Sequence, residues 1–299
     1  MRIELDTCPG LEPPRPTRVT ERWVLRLSCP DRLGIVAGVA NALRDTGCNI
    51  VESAQFGDAA SGNFFMRVCL EAAPAEVTAF TRRFREVAAS FHMAFKLAAA
   101  HHRPKTLIMV SREGHCLHHI LSRRALGDLS FDVALVVSNH DVLRAVVEAH
   151  GVPFVHLPIA ADARVVAERR LRSLIDQHGI ELIGLARYMQ IMSPAFCGDF
   201  AGRVVNIHHS FLPSFRGAKP YHQAHALGVK LVGATAHFVT AELDCGPIIE
   251  QETIRIDHAA GVDQLIRRGR DIESVVLTRA LGWVAEGRVM CNGHRTVVL

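Results

Sequence analysis

The stretch at residues 206–224, NIHHSFLPSFRGAKPYHQA, places polar side chains directly after a short apolar run. Asn206 and His208 are two residues apart, so on a strand their side chains point to the same face. Asp244 lies in the loop after a second apolar run, VGATAHFV. An amide can donate to a developing oxyanion, while an imidazole and a carboxylate transfer protons. The three residues indicate acyl chemistry, with a purely structural pair on the strand as the alternative interpretation.

The bulk composition is that of a globular chain without a nucleic-acid-binding signature. Of 299 residues, 49% are apolar and 21% are charged, which is ample core material for two domains. The formal net charge is only +4 and no basic block stands out. This balance suits a small acidic ligand better than a nucleic acid.

Cysteine usage and hydropathy point to the cytoplasm. The eight cysteines include no CxxC pair, so we expect free thiols in a reducing compartment. The proline-rich start of the chain lacks the apolar core of a signal peptide. No apolar run approaches the roughly 18 residues that a membrane span requires. We therefore predict a cytoplasmic protein whose residues 1–20 form a disordered leader.

Residues 21–98 follow the order of a ferredoxin-like β-α-β-β-α-β unit. The strands are predicted from alternating apolar residues, and the helices from apolar residues at helical spacing. The strands fall at 23–28, 49–56, 63–70 and 91–98, and the helices at 34–46 and 74–90. Residues 99–105, which include AHHRPK, are predicted to be a linker.

The rest of the chain, residues 106–299, changes to an alternation of strands and helices. Continuous apolar runs, typical of strands covered on both faces of a parallel sheet, occur at 106–111, 132–138, 153–158, 181–186 and 203–208. Helix-length segments separate them, so we predict a doubly wound, mostly parallel α/β domain. In such sheets ligands bind beyond the carboxyl ends of the strands, where His208 and the segment after Ala186 lie.

Several motifs together resemble the formyltetrahydrofolate deformylases, which join an ACT regulatory domain to a formyltransferase-like catalytic domain. The similar segments are DRLGIVAGVANAL, GNFFMRV, LARYMQIMSP, HHSFLP with GAKPYHQA, GATAHFVTAELDCGPIIEQ and the closing RTVVL. They are spread over nearly the whole chain. The resemblance implies hydrolysis of 10-formyltetrahydrofolate to formate and tetrahydrofolate, which supplies formate for purine synthesis and balances the one-carbon pools.

The resemblance also implies roles for the site residues. Asn206 would bind the formyl oxygen as it gains charge, and His208 would stabilise that charge and help pass a proton to N10. Asp244 would orient or deprotonate the attacking water, and the division of protons between His208 and Asp244 stays open. His209 would face the other way and be structural. No cofactor is implied, because 10-formyltetrahydrofolate is itself the substrate.

A second set of residues would hold the folate. Residues 187–192 would line the pterin pocket, where methionine adapts well to a flat aromatic ligand. Apolar residues at these positions also fit an ordinary core, which is the alternative. The substrate-binding set is Arg187, Met189, Gln190, Ile191, Met192, Val239 and Leu243.

The turn SREGHCLHH at 111–119 bears on the choice of acceptor. In transferases that formylate a phosphorylated amine, the corresponding turn is rich in glycine and asparagine and holds the phosphate at a helix N-terminus. Here Arg112, Glu113 and His115 occupy the turn and only Gly114 remains small. A carboxylate repels phosphate, so this turn favours water as the acceptor.

Two histidine groups and one cysteine suggest other chemistry. The histidines of each group can share a helical face: His115, His118 and His119 in one, His222 and His225 in the other. No carboxylate or cysteine completes either set as a metal site, so we predict no metal. Cys245 is adjacent to Asp244, but transfer to water needs no thiol nucleophile.

The ACT-like region implies a small-molecule partner and a homo-oligomer. In this fold class, amino acids bind at subunit interfaces near the first strand-to-helix turn. The candidate effector residues are Asp31, Leu33, Gly34, Ile35, Asn49 and Ile50. Glycine and methionine are the natural candidates, since both report one-carbon status. A purely structural dimerisation module is the alternative, and neither a nucleic acid nor a membrane is expected as a partner.

Two rival functions are a formyltransferase acting on an amine and a folate or amino-acid sensor without turnover. The altered turn at 111–119 argues against the transferase. The set of Asn206, His208 and Asp244 argues against the sensor.

Overall fold

The computed structural model describes residues 19–159, 164–213 and 220–299. Most of the predicted leader, and the part of the 206–224 stretch that contains Gly217, lie outside the described residues. None of the helices in these ranges is both long and apolar enough to cross a membrane.

The first part of the chain forms a four-stranded antiparallel sheet in the order β2-β3-β1-β4. Its elements are β1 (Glu21–Pro30), α1 (Ile35–Asp45), β2 (Asn49–Asp58), β3 (Asn63–Ala72), α2 (Pro74–Phe91) and β4 (Ala94–Ala99). The buried faces of α1 and α2 share one core cluster with the inward residues of β1 and β3. The predicted β-α-β-β-α-β order is confirmed.

The strand predicted over 91–98 begins three residues too early. Phe91 still belongs to α2 and packs against the core, with the guanidinium of Arg32 4.7 Å from its ring centroid. His92 adopts a left-handed backbone at φ 52°, and the amide of Met93 donates to the carbonyl of Ala88 at 2.8 Å. The aromatic residue resembles a strand former in the sequence, but it serves helix packing instead.

Residues 100–104 connect this unit to a seven-stranded sheet in the order β11-β10-β9-β8-β5-β6-β7. The elements are β5 (Lys105–Val110), α3 (His115–Ala125), β6 (Asp132–Ser138), α4 (Arg144–Ala149), β7 (Phe154–His156), α5 (Arg164–His178), β8 (Leu182–Ala186), α6 (Pro194–Asp199), β9 (Val204–His208), α7 (Pro220–Ala226), β10 (Leu231–Phe238), β11 (Ile248–Arg255) and α8 (Val262–Ala285). Strands β5 to β9 are parallel, and β10 and β11 are antiparallel additions at one edge. The predicted mostly parallel, doubly wound sheet is confirmed.

The strand order locates the functional edge of this sheet. From β5 the chain runs outward to β6 and β7, then returns to the other side of β5 to form β8 and β9. The connections therefore diverge between β5 and β8, and a crevice opens at the carboxyl ends of these strands. Helix α8 packs beneath β8, β9 and β10.

The last residues return to the first sheet. A hairpin of β12 (Val289–Asn292) and β13 (Arg295–Val298) follows α8. The Asn292 amide donates to Asp58 Oδ2 at 2.7 Å and accepts from Asn63 Nδ2 at 3.0 Å. Arg295 donates to the same Asp58 oxygen at 3.1 Å. The hairpin thus ties the two sheets together at a point remote in sequence from residues 100–104.

Candidate active site

Asn206, His208 and Asp244 come together at the carboxyl edge of the seven-stranded sheet. Asn206 and His208 lie on β9, and His208 is 4% exposed. Asp244 lies in the loop between β10 and β11, with φ at 54°. Its Oδ2 atom is 3.3 Å from His208 Nδ1. Asparagine and aspartate tolerate this left-handed backbone better than most residues, so Asp244 can occupy such a turn.

A second histidine, which the sequence did not single out, completes the group. His237 lies on β10 opposite Asn206 in the antiparallel register. Its Nδ1 donates to the carbonyl of Phe238 at 2.8 Å, because a carbonyl oxygen can only accept. Nε2 of the neutral ring then accepts from Asn206 Nδ2 at 3.3 Å. His237 therefore holds the Asn206 amide in place, and its Nε2 is also 3.7 Å from Asp244 Oδ1.

The electrostatics of the group keep Asp244 charged. Burial by itself raises the pKa of this carboxyl, but the hydrogen bond and charge of His208 act against the burial, and the pKa of Asp244 lies below its usual range. The ionised carboxylate accepts from His208 Nδ1. The other ring nitrogen, His208 Nε2, is buried and has no hydrogen-bond partner among the described residues. That nitrogen is positioned to exchange a proton with a bound molecule.

A cavity of about 580 Å³ adjoins these side chains. This volume lies within the range of small-molecule sites. Three apolar side chains at its mouth are more than half exposed, namely Met189, Ile191 and Leu243. The ten residues predicted for catalysis and substrate binding all border it: Asn206, His208, Asp244, Arg187, Met189, Gln190, Ile191, Met192, Val239 and Leu243. His209 borders it too, because the strand ends at His208 and no longer imposes alternation.

The far wall of the cavity holds a buried carboxylate that sequence patterns did not reveal. Glu273 of α8 is 1% exposed. Tyr221 donates to its Oε1 at 2.7 Å, and His115 Nε2 lies 2.8 Å from its Oε2. Arg187 Nε is 3.5 Å from the same Oε2. Burial raises the pKa of Glu273, yet His115, Arg187 and Tyr221 together leave it below its ordinary value, so the carboxylate is charged.

Gly269 makes room for this network. A methyl group at this position would lie 2.0 Å from the hydroxyl oxygen of Tyr221. The spacing of Gly269 and Glu273, one helical turn apart on α8, lets the tyrosine cross the helix and reach the carboxylate. A helix-interior glycine is the one local signal that could have pointed to a close approach here.

Side chains of the turn between β5 and α3 form hydrogen bonds with neighbouring segments. Arg270 donates to Glu113 Oε2 at 2.6 Å across the mouth of the turn. The Ser111 hydroxyl donates to Asn139 Oδ1 at 2.7 Å and accepts from the Met189 amide at 3.0 Å. The turn therefore supports the 187–192 segment, and its one carboxylate is paired with Arg270.

Among the described residues, the one group with metal-ligand spacing is neither of the two predicted histidine sets. The ligand atoms of His115, Cys116 and Glu273 lie within 4.8 Å of one another. Burial raises the pKa of the Cys116 thiol strongly, so the thiolate that a metal needs is disfavoured. His115 and Tyr221 already bind the Glu273 carboxylate. These contacts describe a hydrogen-bonded network better than a metal site.

The six candidate effector residues do not converge within one chain. Asp31, Leu33 and Gly34 form the turn after β1, and Leu33 is fully exposed. Ile35 is 2% exposed and belongs to the core, so its side chain cannot contact a ligand. Asn49 and Ile50 begin β2, whose other end lies near that turn, so the length of the sheet separates the two groups. They can share a site only between two chains.

Comparison with known proteins agrees with this geometry. Residues 104–281 match the formyl transferase family. A formyltetrahydrofolate deformylase of Corynebacterium sp. (strain P-1) is 48% identical over 280 residues, which is 93% of this chain and 98% of that protein. The crystal structure of a formyltetrahydrofolate deformylase from Pseudomonas syringae pv. tomato DC3000 superposes with a TM-score of 0.90 at 43% identity, covering 93% of this chain and 95% of that one.

A transferase is similar over a smaller part of the chain. The glycinamide ribonucleotide transformylase 1 of Symbiobacterium toebii has a TM-score of 0.63 and 32% identity, and covers 66% of this chain and 94% of that one. The deformylases match in both sheets, whereas this transferase leaves a third of the chain unmatched. The resemblance seen in the sequence motifs is confirmed, and the chain belongs to the formyltetrahydrofolate deformylase family.

Proposed function

We propose that this chain hydrolyses 10-formyltetrahydrofolate to formate and tetrahydrofolate, and so supplies formate for purine synthesis and balances the one-carbon pools. The observation that carries the proposal is the buried Nε2 of His208, which has no hydrogen-bond partner among the described residues, while Nδ1 of the same ring lies 3.3 Å from Asp244 beside the Asn206 amide. A carbonyl-attacking water needs this combination of a proton acceptor and an oxyanion donor.

The folate ring system fits the apolar part of the cavity. Met189, Ile191 and Leu243 are exposed at its mouth, and a bound pterin would cover them. Met192, 8% exposed, forms the buried floor of this part. Polar edges of the ring would meet backbone groups of the 187–192 segment, which the hydroxyl of Ser111 holds in position.

The proton path runs through His208. Water attacks the formyl carbon while His208 Nε2 accepts its proton, and the imidazolium is stabilised by the Asp244 carboxylate at Nδ1. The formyl oxygen becomes an oxyanion that accepts from the Asn206 amide. When the bond from carbon to N10 breaks, His208 returns the proton to N10 and tetrahydrofolate leaves. The formic acid that remains releases its own proton to solvent and leaves as formate. Because its pKa is depressed, Asp244 is a weak base, which favours His208 as the proton carrier. This reaction requires no cofactor and no metal.

The same geometry supports water over a phosphorylated amine as the acceptor. A phosphate at the turn after β5 would meet Glu113, and an amine-bearing substrate beyond it would meet the Glu273 network. Removal of hydration from a phosphate beside a carboxylate is unfavourable without compensating cations. The Arg270 guanidinium at this turn is already paired with Glu113.

We further propose that residues 21–98 form an ACT-like regulatory domain, joined by residues 99–105 to a catalytic domain at 106–299. Strand β2 is an edge strand that is exposed along most of its length, which suits pairing with a second copy of the chain. Such a homo-oligomer would bring the turn at 31–34 of one chain near Asn49 and Ile50 of the other. An amino acid such as glycine or methionine would bind there.

Cytoplasmic residence is part of the same proposal. Four cysteines, Cys29, Cys48, Cys116 and Cys197, are buried free thiols. Free buried thiols are typical of a reducing compartment.

The activity is tested by incubating the purified protein with 10-formyltetrahydrofolate in a buffer without any amine. We expect formate and tetrahydrofolate in equal amounts. Formyl transfer that appears only after glycinamide ribonucleotide is added, as a formylated amine, would identify a transferase. No turnover under either condition would identify a sensor.

Regulation is tested on the full chain. Glycine or methionine should alter the rate of formate release and the melting temperature, with a coupling of about 1–3 kcal/mol. No effect of either amino acid on both quantities would leave the first sheet as a structural module.

A further inference from the structure

A second cavity, of about 510 Å³, lies between the two sheets and away from the folate site. One wall is the face of β1 and β4 that is turned away from α1 and α2. The inward side chains Leu25 and Leu27 are buried against those helices, so Val24 and Arg26 point to the cavity side. The other wall comes from the start of β8, the turn before β9 and the chain between α8 and β13.

Three cationic side chains lie side by side on this face. Arg26 of β1 pairs directly with Lys96 of β4 on one side and with Arg67 of β3 on the other. Side chains of directly paired residues are about 5 Å apart, and like charges in such pairs are unfavourable. The charge of Arg67 is partly compensated by Glu52, whose carboxylate lies 3.7 Å away. Across the described ranges, Arg26 and Lys96 have no carboxylate within ion-pair distance.

The burial of the Arg26 side chain makes its unpaired positive charge still less favourable. Its guanidinium is half-buried, and that burial lowers the pKa of Arg26. A charged group that has lost water without gaining an ionic partner is costly in a folded protein. The thiolate form of Cys291 would raise the pKa of Arg26, but burial raises the pKa of the Cys291 thiol, so Cys291 supplies no counter-charge.

The acidic residues around the cavity, Glu181 and Glu286, already have hydrogen-bond partners. Glu181 binds His102 Nε2 at 2.9 Å, and Glu286 accepts from the Ser130 hydroxyl at 2.5 Å. A further cation, Arg203, borders the cavity and donates to two backbone carbonyls. The cavity therefore keeps a surplus of positive charge beside an apolar surface.

We propose that this cavity binds a small organic anion. Its carboxylate or phosphate group pairs with Arg26 and Lys96, and its apolar part packs against Val24 and Met290. A guanidinium offers two parallel donors to either acid group, and the neighbouring ammonium adds a point charge. None of the six candidate effector residues borders this cavity, so the site is separate from that turn.

Because of the position of the cavity, a bound ligand would contact both sheets. It contacts β1 and β4 of the first sheet together with Glu181 and Arg203, which precede β8 and β9. At the opposite ends of those strands, Arg187 directly follows β8 and His208 is the last residue of β9. A bound anion joins the two sheets and stabilises the folded chain by mass action.

The test uses the full chain and two probes, succinate for the carboxylate and inorganic phosphate for the phosphate, at low ionic strength. We expect saturable binding of at least one probe in calorimetry and a rise in the melting temperature. Arg26→Gln and Lys96→Gln should each weaken that binding at least about tenfold, since each removes a charge-assisted contact. Which probe binds identifies the acid group.

Arg82→Gln is the matched control, because it removes the same charge from the exposed face of α2 and should bind like the wild type. Lys96 is exposed, so Lys96→Gln decides the matter if Arg26→Gln fails to fold. The proposal is overturned if neither probe binds saturably to the wild type, or if the Lys96→Gln protein binds the probe as tightly as the control does. The readout is binding, so it is independent of formate release.

Discussion

Replacing Asp244 by asparagine removes one negative charge while keeping the size of the side chain and its fit to the backbone. The native residue has φ at 54°, a conformation that asparagine tolerates well. The fold should therefore survive. The shorter contact that the change alters is the one between Asp244 Oδ2 and His208 Nδ1, which measures 3.3 Å.

The size of the effect follows from what that carboxylate does. With Asp244 charged, the His208 ring carries its proton on Nδ1 and presents a bare Nε2 to the water. An asparagine amide can turn its NH2 group to Nδ1 and favour the wrong tautomer, and it cannot stabilise an imidazolium. General acid–base contributions are about 10²–10⁴-fold, which corresponds to about 3–5 kcal/mol of transition-state stabilisation.

The assay is single-turnover formate release, with folate affinity measured on the same protein. Affinity should change little, since the apolar contacts of the folate lie on the 187–192 segment, and a defect in turnover alone marks an interaction made in the transition state. Asp257→Asn is the control, because Asp257 is exposed and accepts from the Ala259 amide in a turn that asparagine also suits. Near-normal turnover of the Asp244→Asn protein would refute the proposed role.

Three further outcomes are expected. Asn206→Ala removes the oxyanion donor and should lower turnover by about 10²–10³-fold with little change in substrate affinity, measured by single-turnover kinetics and ligand titration. Gly269→Ala places a methyl group 2.0 Å from the Tyr221 hydroxyl and should lower the free energy of unfolding by about 1–3 kcal/mol in urea, whereas Gly282→Ala, which meets open space on the same helix, should raise it by about 0.5–1 kcal/mol. Burial lowers the pKa of His209 from 6.5 to about 4, so the unfolded chain binds more protons between these values and stability rises with pH there. His209→Gln should flatten this rise, which amounts to at most about 3 kcal/mol, in unfolding measured across that pH range; an unchanged slope would contradict the assignment.

The sequence predicted the parts of the site that lie on single recognisable segments. Asn206 and His208 end an apolar run that is typical of a buried parallel strand. Polar side chains at the carboxyl end of such a strand lie where ligands bind. Asp244 follows the next strand in a loop rich in turn residues. Their meeting in one cavity follows from the adjacency of β9 and β10 in the sheet.

The residues that the sequence did not reveal depend on packing between distant segments. His237 lies in a strand whose residues are nearly all buried, so alternation could not mark one of them as facing Asn206. Glu273, Tyr221 and His115 come from α8, α7 and α3, which meet only in the folded protein. Hydrophobic periodicity reports which face of a helix is buried, and it does not report which polar residue on that face finds a partner.

The most direct test of the account is single-turnover formate release, without any amine, by the wild type and by His208→Gln. Glutamine keeps much of the volume but cannot carry the proton between water and N10. The account predicts one formate per active site from the wild type, and a rate at least about 10²-fold lower from His208→Gln with folate binding retained. A His208→Gln protein that releases formate at the wild-type rate would contradict it.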